Sequence, residues 1–120
     1  MVKVLIADDT QFMRTNLRIV FERHGIQVVG EADSGSKVVK MYEMLNPDIV
    51  TMDITMPNID GIEATKLIMQ MDPNAKIVVV SALGQEVFVR EAILAGAKNF
   101  IVKPFQEDKV IDVIEKVLGI

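Results

Sequence analysis

Short apolar runs alternate with helix-like stretches along the chain, and this alternation is the feature that most restricts the fold. The apolar runs are rich in Val and Ile and predict β-strands at residues 3–7, 27–32, 49–52, 76–80 and 99–102. Between these runs, apolar residues recur at three- and four-residue spacing. The pattern predicts βαβ units around a parallel sheet that is buried on both faces.

Five helices are predicted between and after the strands. The first carries an apolar stripe from Met13 to Phe21 and ends before Gly25, and the second covers residues 37–45. The other three have apolar stripes at residues 64–71, 89–93 and 110–117. Five strand–helix pairs fit an open, doubly wound α/β sheet and are too few for an eight-stranded barrel. Right-handed crossovers would bring all strand carboxyl ends to one edge, where such sheets bind ligands.

Size and composition exclude several classes of protein. The 120 residues, 50% of them hydrophobic, suit one domain over residues 1–120. There is no Cys, which rules out disulfides, thiolate metal sites and a thiol nucleophile. No apolar run approaches the roughly 20 residues that cross a bilayer. The net charge of -4 comes with no basic block that could follow a phosphate backbone. We expect a cytoplasmic protein that binds neither nucleic acid nor membrane.

Chemically active side chains stand at the ends of four predicted strands. Asp8 and Asp9 follow the first strand, Asp53 the third, Ser81 the fourth and Lys103 the fifth. Each has a simpler explanation when taken alone, since Asp and Ser often cap helices and a lysine before a proline is usually exposed. The simpler explanations would have to hold at all four strand ends at once. We therefore expect these residues to form one site.

Three carboxylates at one edge predict a bound cation, because they would otherwise repel one another and raise at least one pKa. Oxygen ligands favour a hard divalent ion, and a small open site suits Mg²⁺ better than Ca²⁺. Mg²⁺ held by few protein ligands commonly leaves positions for a phosphate oxygen, which Lys103 and Ser81 would also contact. Asp53, a single carboxylate after a central strand, is then the candidate phosphoryl acceptor. The paired Asp8 and Asp9 better serve the cation.

At these residues the chain resembles the receiver domains of two-component response regulators, and most closely their stand-alone chemotaxis members. The resemblance covers residues 3–118. It rests on Asp8-Asp9, VTMDITMP around Asp53, Asp60-Gly61, VVVSA ending in Ser81-Ala82, and AGAKNFIVKPF with Lys103-Pro104. It implies a flavodoxin-like fold with strand order 2-1-3-4-5 and five flanking helices.

The resemblance implies a role for each site residue. Asp53 would be the phosphoacceptor, with Lys103 and Ser81 contacting the phosphoryl group. Asp9 and Asp53 would bind Mg²⁺ by their side chains, Thr55 by its backbone carbonyl, and Asp8 largely through water. The Lys103-Pro104 peptide bond is often cis in this family.

The resemblance also implies a conformational switch. The ring of Phe100 would turn inward as Ser81 moves toward the phosphoryl group. In the family, Thr is commoner at the position of Ser81, and Tyr is commoner at the position of Phe100. An apolar patch at Val87, Phe88, Phe100 and Val102 would bind the output partner.

The implied function is that of a phosphoacceptor switch rather than an enzyme, although it would promote its own phosphorylation and dephosphorylation. A histidine kinase would be the phosphodonor, the phosphorylated protein would bind the flagellar motor switch, and a phosphatase is a further candidate partner. We expect a monomer.

Other functions remain open at this point. A phosphorelay receiver would instead pass the phosphoryl group to another histidine. A phosphatase of the haloacid dehalogenase class also uses an Asp nucleophile with Mg²⁺, but it needs a second carboxylate at the position that Thr55 occupies. A flavin carrier of similar fold would need a Ser/Thr-rich phosphate loop after the first strand, which this sequence lacks.

Overall fold

The computed structural model describes all residues from Met1 to Ile120 and confirms the alternation of strands and helices. In chain order, the elements are β1 (Lys3–Ala7), α1 (Gln11–Arg23), β2 (Gln27–Ala32), α2 (Gly35–Leu45), β3 (Ile49–Met52), α3 (Gly61–Met71), β4 (Ile77–Ser81), α4 (Glu86–Ala95), β5 (Asn99–Val102) and α5 (Glu107–Leu118). No helix has the length and apolar character needed to cross a membrane.

The five strands form one parallel sheet in the order β2-β1-β3-β4-β5, which confirms the predicted fold. Alternate side chains of each strand point to opposite faces, and each face carries its own apolar core. On one face, residues such as Ile6 and Val78 pack against α1 and α5. On the other face, residues such as Leu5 and Val79 pack against α2, α3 and α4. Burial on both sides explains why the strands are almost continuously apolar.

Two predicted boundaries are wrong by one or two residues. Helix α2 begins at Gly35 instead of residue 37, because Ser34 caps it and accepts a hydrogen bond from the Lys37 amide at 3.2 Å. Strand β4 covers Ile77–Ser81 instead of residues 76–80, because Ser81 still pairs with Val102 of β5. Ser81 is therefore the last residue of the strand and not the first residue after it.

Candidate functional site

The parallel sheet brings the predicted site residues to one edge. Asp8 directly follows β1, Asp53 follows β3, Lys103 follows β5, and Ser81 ends β4. Because all the strands run in the same direction, these four positions lie at the carboxyl end of the sheet. The strand order reverses between β1 and β3, which puts Asp8 and Asp53 on either side of the point where ligands bind in such folds.

The three predicted carboxylates do converge. Asp8, Asp9 and Asp53 each offer an oxygen atom, and these atoms all lie within 4.8 Å of one another. Asp8 and Asp53 are buried, with only 1% and 5% of their surface exposed, while Asp9 is exposed. The cluster is therefore open to solvent on the side of Asp9 and closed on the side of the sheet.

Lys103 is the cation that two of these acids share. Its Nζ donates to Asp8 Oδ2 at 2.6 Å and to Asp53 Oδ2 at 3.1 Å. Burial alone would lower the pKa of Lys103, but its hydrogen bonds and the charges of Asp8 and Asp53 outweigh burial and raise the pKa. The lysine is therefore charged at neutral pH. The Lys103-Pro104 peptide bond is cis, as the resemblance implies.

Asp53 lies in an environment that disfavours its charge. Burial is the largest effect and raises the pKa of Asp53, and the nearby Asp8 adds to it. Lys103 and the Ile54 amide, which donates to Asp53 Oδ1 at 2.8 Å, act in the opposite direction without cancelling the rise. A further cation would stabilise the ionised form of this carboxylate.

Asp8 is held more firmly than the other two acids. Its Oδ1 accepts hydrogen bonds from the Thr10 amide at 2.9 Å and from the Thr10 hydroxyl at 3.1 Å. The Thr10 hydroxyl in turn caps α1 by accepting a hydrogen bond from the Met13 amide. The N-cap of α1 is thus Thr10, and neither Asp8 nor Asp9 caps the helix.

The donor set fits a magnesium ion. Oxygen ligands of Mg²⁺ lie about 2.1 Å from the ion, so two of them are at most about 4.2 Å apart, and the cluster needs only a small contraction to bind one. Three carboxylates and no nitrogen or sulfur ligand also match its preference for oxygen. Thr55 is exposed and lies two residues after Asp53, and its role as a carbonyl ligand stays a prediction.

Neither of the two predicted switch residues, Ser81 and Phe100, forms a side-chain hydrogen bond with the acids. The Ser81 hydroxyl is buried and accepts a hydrogen bond from the Leu83 amide at 3.2 Å. It does not cap α4, whose N-cap is Gln85. Phe100 is partly buried and packs against the core on the side of α2, α3 and α4. The movement of Ser81 and Phe100 on phosphorylation stays a prediction.

The predicted partner-binding patch is only half exposed. Val87 and Val102 have 51% and 47% of their surface exposed, whereas Phe88 and Phe100 are partly buried against the core. The apolar face that a partner could reach therefore consists mainly of the two valines, and the two phenylalanines contribute less.

Sequence reasoning missed two residues that support the site. Arg14, one turn into α1, donates to the backbone carbonyl of Asp8 at 2.7 Å. Gly61 packs on the backbone of Asp53 so closely that a Cβ atom at this position would lie 1.8 Å from the Asp53 carbonyl oxygen. Gly61 belongs to the Asp60-Gly61 motif of the resemblance, which pointed to the residue but not to this contact. No sequence signal indicated that Arg14 binds a backbone carbonyl.

Comparisons with known proteins agree with this geometry. The sequence profile of the response regulator receiver domain matches residues 4–115. The chain is 56% identical over 115 residues to the chemotaxis protein CheY of Thermotoga maritima, with 96% of both chains covered. It is 50% identical over 117 residues to CheY of Bacillus subtilis, with 98% of both chains covered. It also superposes, with a TM-score of 0.93 and 41% identity, on the crystal structure of a CheX-CheY-BeF3-Mg complex from Borrelia burgdorferi, covering 97% of this chain and 88% of that chain.

The chain belongs to the response regulator receiver domain family. Within that family it is CheY-like, as the identities with the two bacterial CheY proteins show. The family and the fold expected from the sequence are thus confirmed, and the protein is placed among the response regulators of two-component systems.

Proposed function

We propose that this protein accepts a phosphoryl group on Asp53 from the phosphohistidine of a kinase, and that the phosphorylated form binds a component of the flagellar motor switch. The observation that carries the proposal is the contact of one lysine with two buried carboxylates, beside a third that is exposed. The CheY proteins that the chain resembles are named for chemotaxis, which favours this function over a phosphorelay or a phosphatase.

The transfer step follows from ordinary phosphoryl chemistry. A carboxylate oxygen of Asp53 attacks the phosphorus atom, the bond between phosphorus and the histidine nitrogen breaks, and the electron pair of that bond stays on the imidazole. Lys103 is within hydrogen-bonding distance of Asp53 Oδ2 and would also bind an oxygen of the incoming group. Bound Mg²⁺ would offset the negative charge of the acids and of the phosphoryl oxygens. Asp8, Asp9 and Asp53 are the side chains that would hold it.

The protein would act as a switch and not as an enzyme with a released substrate. Hydrolysis of the acyl phosphate returns Asp53 to its original state, and the same site would promote this step with water as the nucleophile. A dedicated phosphatase is a candidate partner. The similar structure from Borrelia burgdorferi is a complex of CheY with a second protein, CheX, which supports binding of a further protein to this fold.

The phosphoacceptor is tested by mass measurement. The protein is incubated with acetyl phosphate or phosphoramidate and Mg²⁺, and it should gain the mass of one phosphoryl group. Asp53→Asn should abolish the gain, whereas Asp112→Asn, at an exposed position on α5, should leave it intact. A gain that survives in the Asp53 variant would refute the assignment, and continued release of phosphate from many phosphomonoesters would favour the phosphatase instead.

The output partner is tested with a peptide from a motor switch protein. Binding should strengthen when acetyl phosphate and Mg²⁺ are added, and Val102→Lys should weaken it. Met44→Lys is a matched control, because Met44 is equally apolar, 73% exposed and on α2, on another side of the molecule. Equal binding with and without phosphodonor would exclude motor-switch control. Transfer of the group to a histidine phosphotransfer protein would support the relay.

A further inference from the structure

We propose that Arg14 is a positioning residue for the metal site, because it fixes the peptide unit that joins Asp8 to Asp9. The inference rests on the proposed Mg²⁺ site and adds a residue that lies outside the carboxylate cluster itself. Arg14 does not contact any of the three carboxylates in the structure, so its effect would pass through the backbone of Asp8.

The guanidinium of Arg14 links Asp8, the residue after β1, to Glu31 of the neighbouring strand β2. Its Nη1 donates to the Asp8 carbonyl at 2.7 Å, and its Nε donates to Glu31 Oε1 of β2 at 3.2 Å. Only 13% of the Arg14 side chain is exposed, against 23% for Glu31. A partly buried arginine that uses two sides of its planar fork has little freedom to move, so it holds the Asp8 carbonyl in one direction.

The carbonyl of Asp8 matters because it belongs to the peptide bond that leads into Asp9. That peptide is planar, so fixing its oxygen fixes the direction in which the chain continues to the Asp9 Cα atom. Asp8 has other restraints, since its carboxylate is bound by Thr10 and Lys103. Asp9 has none of these: its side chain is exposed and makes no hydrogen bond within the protein. The location of the Asp9 carboxylate therefore depends on its backbone, which Arg14 holds at the Asp8–Asp9 peptide and the bond from the Thr10 amide to Asp8 Oδ1 holds at the next one.

Glu31 anchors the arginine from the other side. Its second oxygen, Oε2, accepts a hydrogen bond from Arg18 Nε at 2.7 Å, so one carboxylate binds two guanidinium groups from successive turns of α1. Arg18 makes no contact with Asp8, although it shares the helix, the charge and the partner of Arg14. It is therefore the natural control for Arg14.

The test compares Arg14→Met with Arg18→Met in two measurements. The first is the Mg²⁺ dissociation constant, obtained by calorimetric titration. Loss of groups that orient metal ligands typically weakens metal binding about 10- to 100-fold, so Arg14→Met should weaken Mg²⁺ binding at least about 10-fold. Arg18→Met should bind Mg²⁺ as the wild type does. Urea unfolding of the metal-free proteins shows how much of the change is a general loss of stability.

The second measurement uses no metal. The backbone amide of Asp9 shares the peptide unit whose oxygen Arg14 binds, so its NMR chemical shift should change in Arg14→Met and stay unchanged in Arg18→Met. If Arg14→Met does not fold, Arg14→Lys replaces it, because a lysine keeps the charge but cannot bind both acceptors in a fixed fork. This variant should weaken Mg²⁺ binding by a few-fold, roughly, and also shift the Asp9 amide.

The outcomes separate this inference from the proposed function. Wild-type protein that binds no Mg²⁺ would overturn both. Wild-type protein that binds Mg²⁺ and gains a phosphoryl group, together with an Arg14 variant of unchanged Mg²⁺ affinity, would overturn the positioning role alone. Equal losses in the Arg14 and Arg18 variants would also overturn it, since they would indicate a general effect of the Glu31 ion pairs.

Discussion

Replacing Thr51 with Val is expected to make this protein more stable. Thr51 is in the middle of β3, with 1% of its surface exposed, and its hydroxyl has no hydrogen-bond partner. Its strand neighbours in register are Ile6 and Val78, which belong to the apolar core on the side of α1 and α5. Folding therefore removes this hydroxyl from water without replacing the hydrogen bonds that it made to water.

The expected gain follows from the cost of an unpaired buried polar group. That cost is about 1 to 3 kcal/mol, and valine has nearly the shape of threonine, so the substitution should neither create a cavity nor overfill the core. Valine is also a good strand former. We expect the free energy of unfolding to rise by about 1 to 2 kcal/mol, which for a domain of this size corresponds to an increase of about 4 to 8 °C in Tm.

The assay is urea unfolding of the metal-free proteins, with Thr65→Val as the matched control. Thr65 is also fully buried, but its hydroxyl donates to the Gly61 carbonyl at 2.7 Å. Its replacement loses a made hydrogen bond and should lower stability by about 0.5 to 1.5 kcal/mol. The two substitutions are chemically identical and should act in opposite directions. A loss of stability in Thr51→Val would refute the reasoning, because it would mean that the hydroxyl has a stabilising partner after all.

Three further predictions concern the site. Burial raises the pKa of Asp53 above its ordinary value, so ionising this carboxyl lowers the stability of the folded protein. The loss develops as the pH rises from the pKa of Asp53 in the unfolded chain through its higher pKa in the folded protein. Metal-free Asp53→Asn should therefore unfold at a higher urea concentration than the wild type at neutral pH, and the difference between the two midpoints should disappear toward about pH 4. A difference that does not change with pH would contradict this. Lys103→Gln leaves Asp8 and Asp53 without their shared cation and should lower stability by about 3 kcal/mol in EDTA, a loss that Mg²⁺ should partly restore. Ser81→Ala should still gain a phosphoryl group in the mass assay but should lose most of the phosphorylation-dependent binding to the motor-switch peptide, whereas Ser81→Thr should keep it.

The sequence predicts the sheet well because the physics behind it is local. A strand buried on both faces must be apolar at nearly every position, and Leu5 and Ile6 of β1 show this directly, since they belong to the cores of opposite faces. The site could be predicted for a related reason. In a parallel sheet the residues that follow the strands all lie at one edge. The proximity of Asp8, Asp53 and Lys103 can therefore be predicted without knowing any side-chain conformation.

The contacts that could not be predicted depend on three-dimensional detail. Arg14 binds a carbonyl oxygen, which every residue has, and its other partner Glu31 lies 17 residues further along the chain. The approach of Gly61 to the Asp53 backbone depends on where α3 packs. The sequence also does not reveal that the Thr51 hydroxyl lacks a hydrogen-bond partner, since a buried threonine hydroxyl usually has one.

The hydrogen bonds of the site favour one residue as the main source of the free-energy difference in the proposed switch. Charge-assisted hydrogen bonds contribute about 1.5 to 3 kcal/mol each, and moving an equilibrium from 1:99 to 99:1 needs about 5.5 kcal/mol. Only the difference between the two states counts, and Lys103 already binds Asp8 and Asp53 before any phosphorylation. A lysine that exchanges one anionic partner for another adds little to that difference. The Ser81 hydroxyl, in contrast, accepts only a 3.2 Å hydrogen bond from the Leu83 amide, and it makes none to the acids. A bond from Ser81 to a phosphoryl oxygen would thus be new, and we infer that it supplies the larger share of the bias toward the partner-binding state.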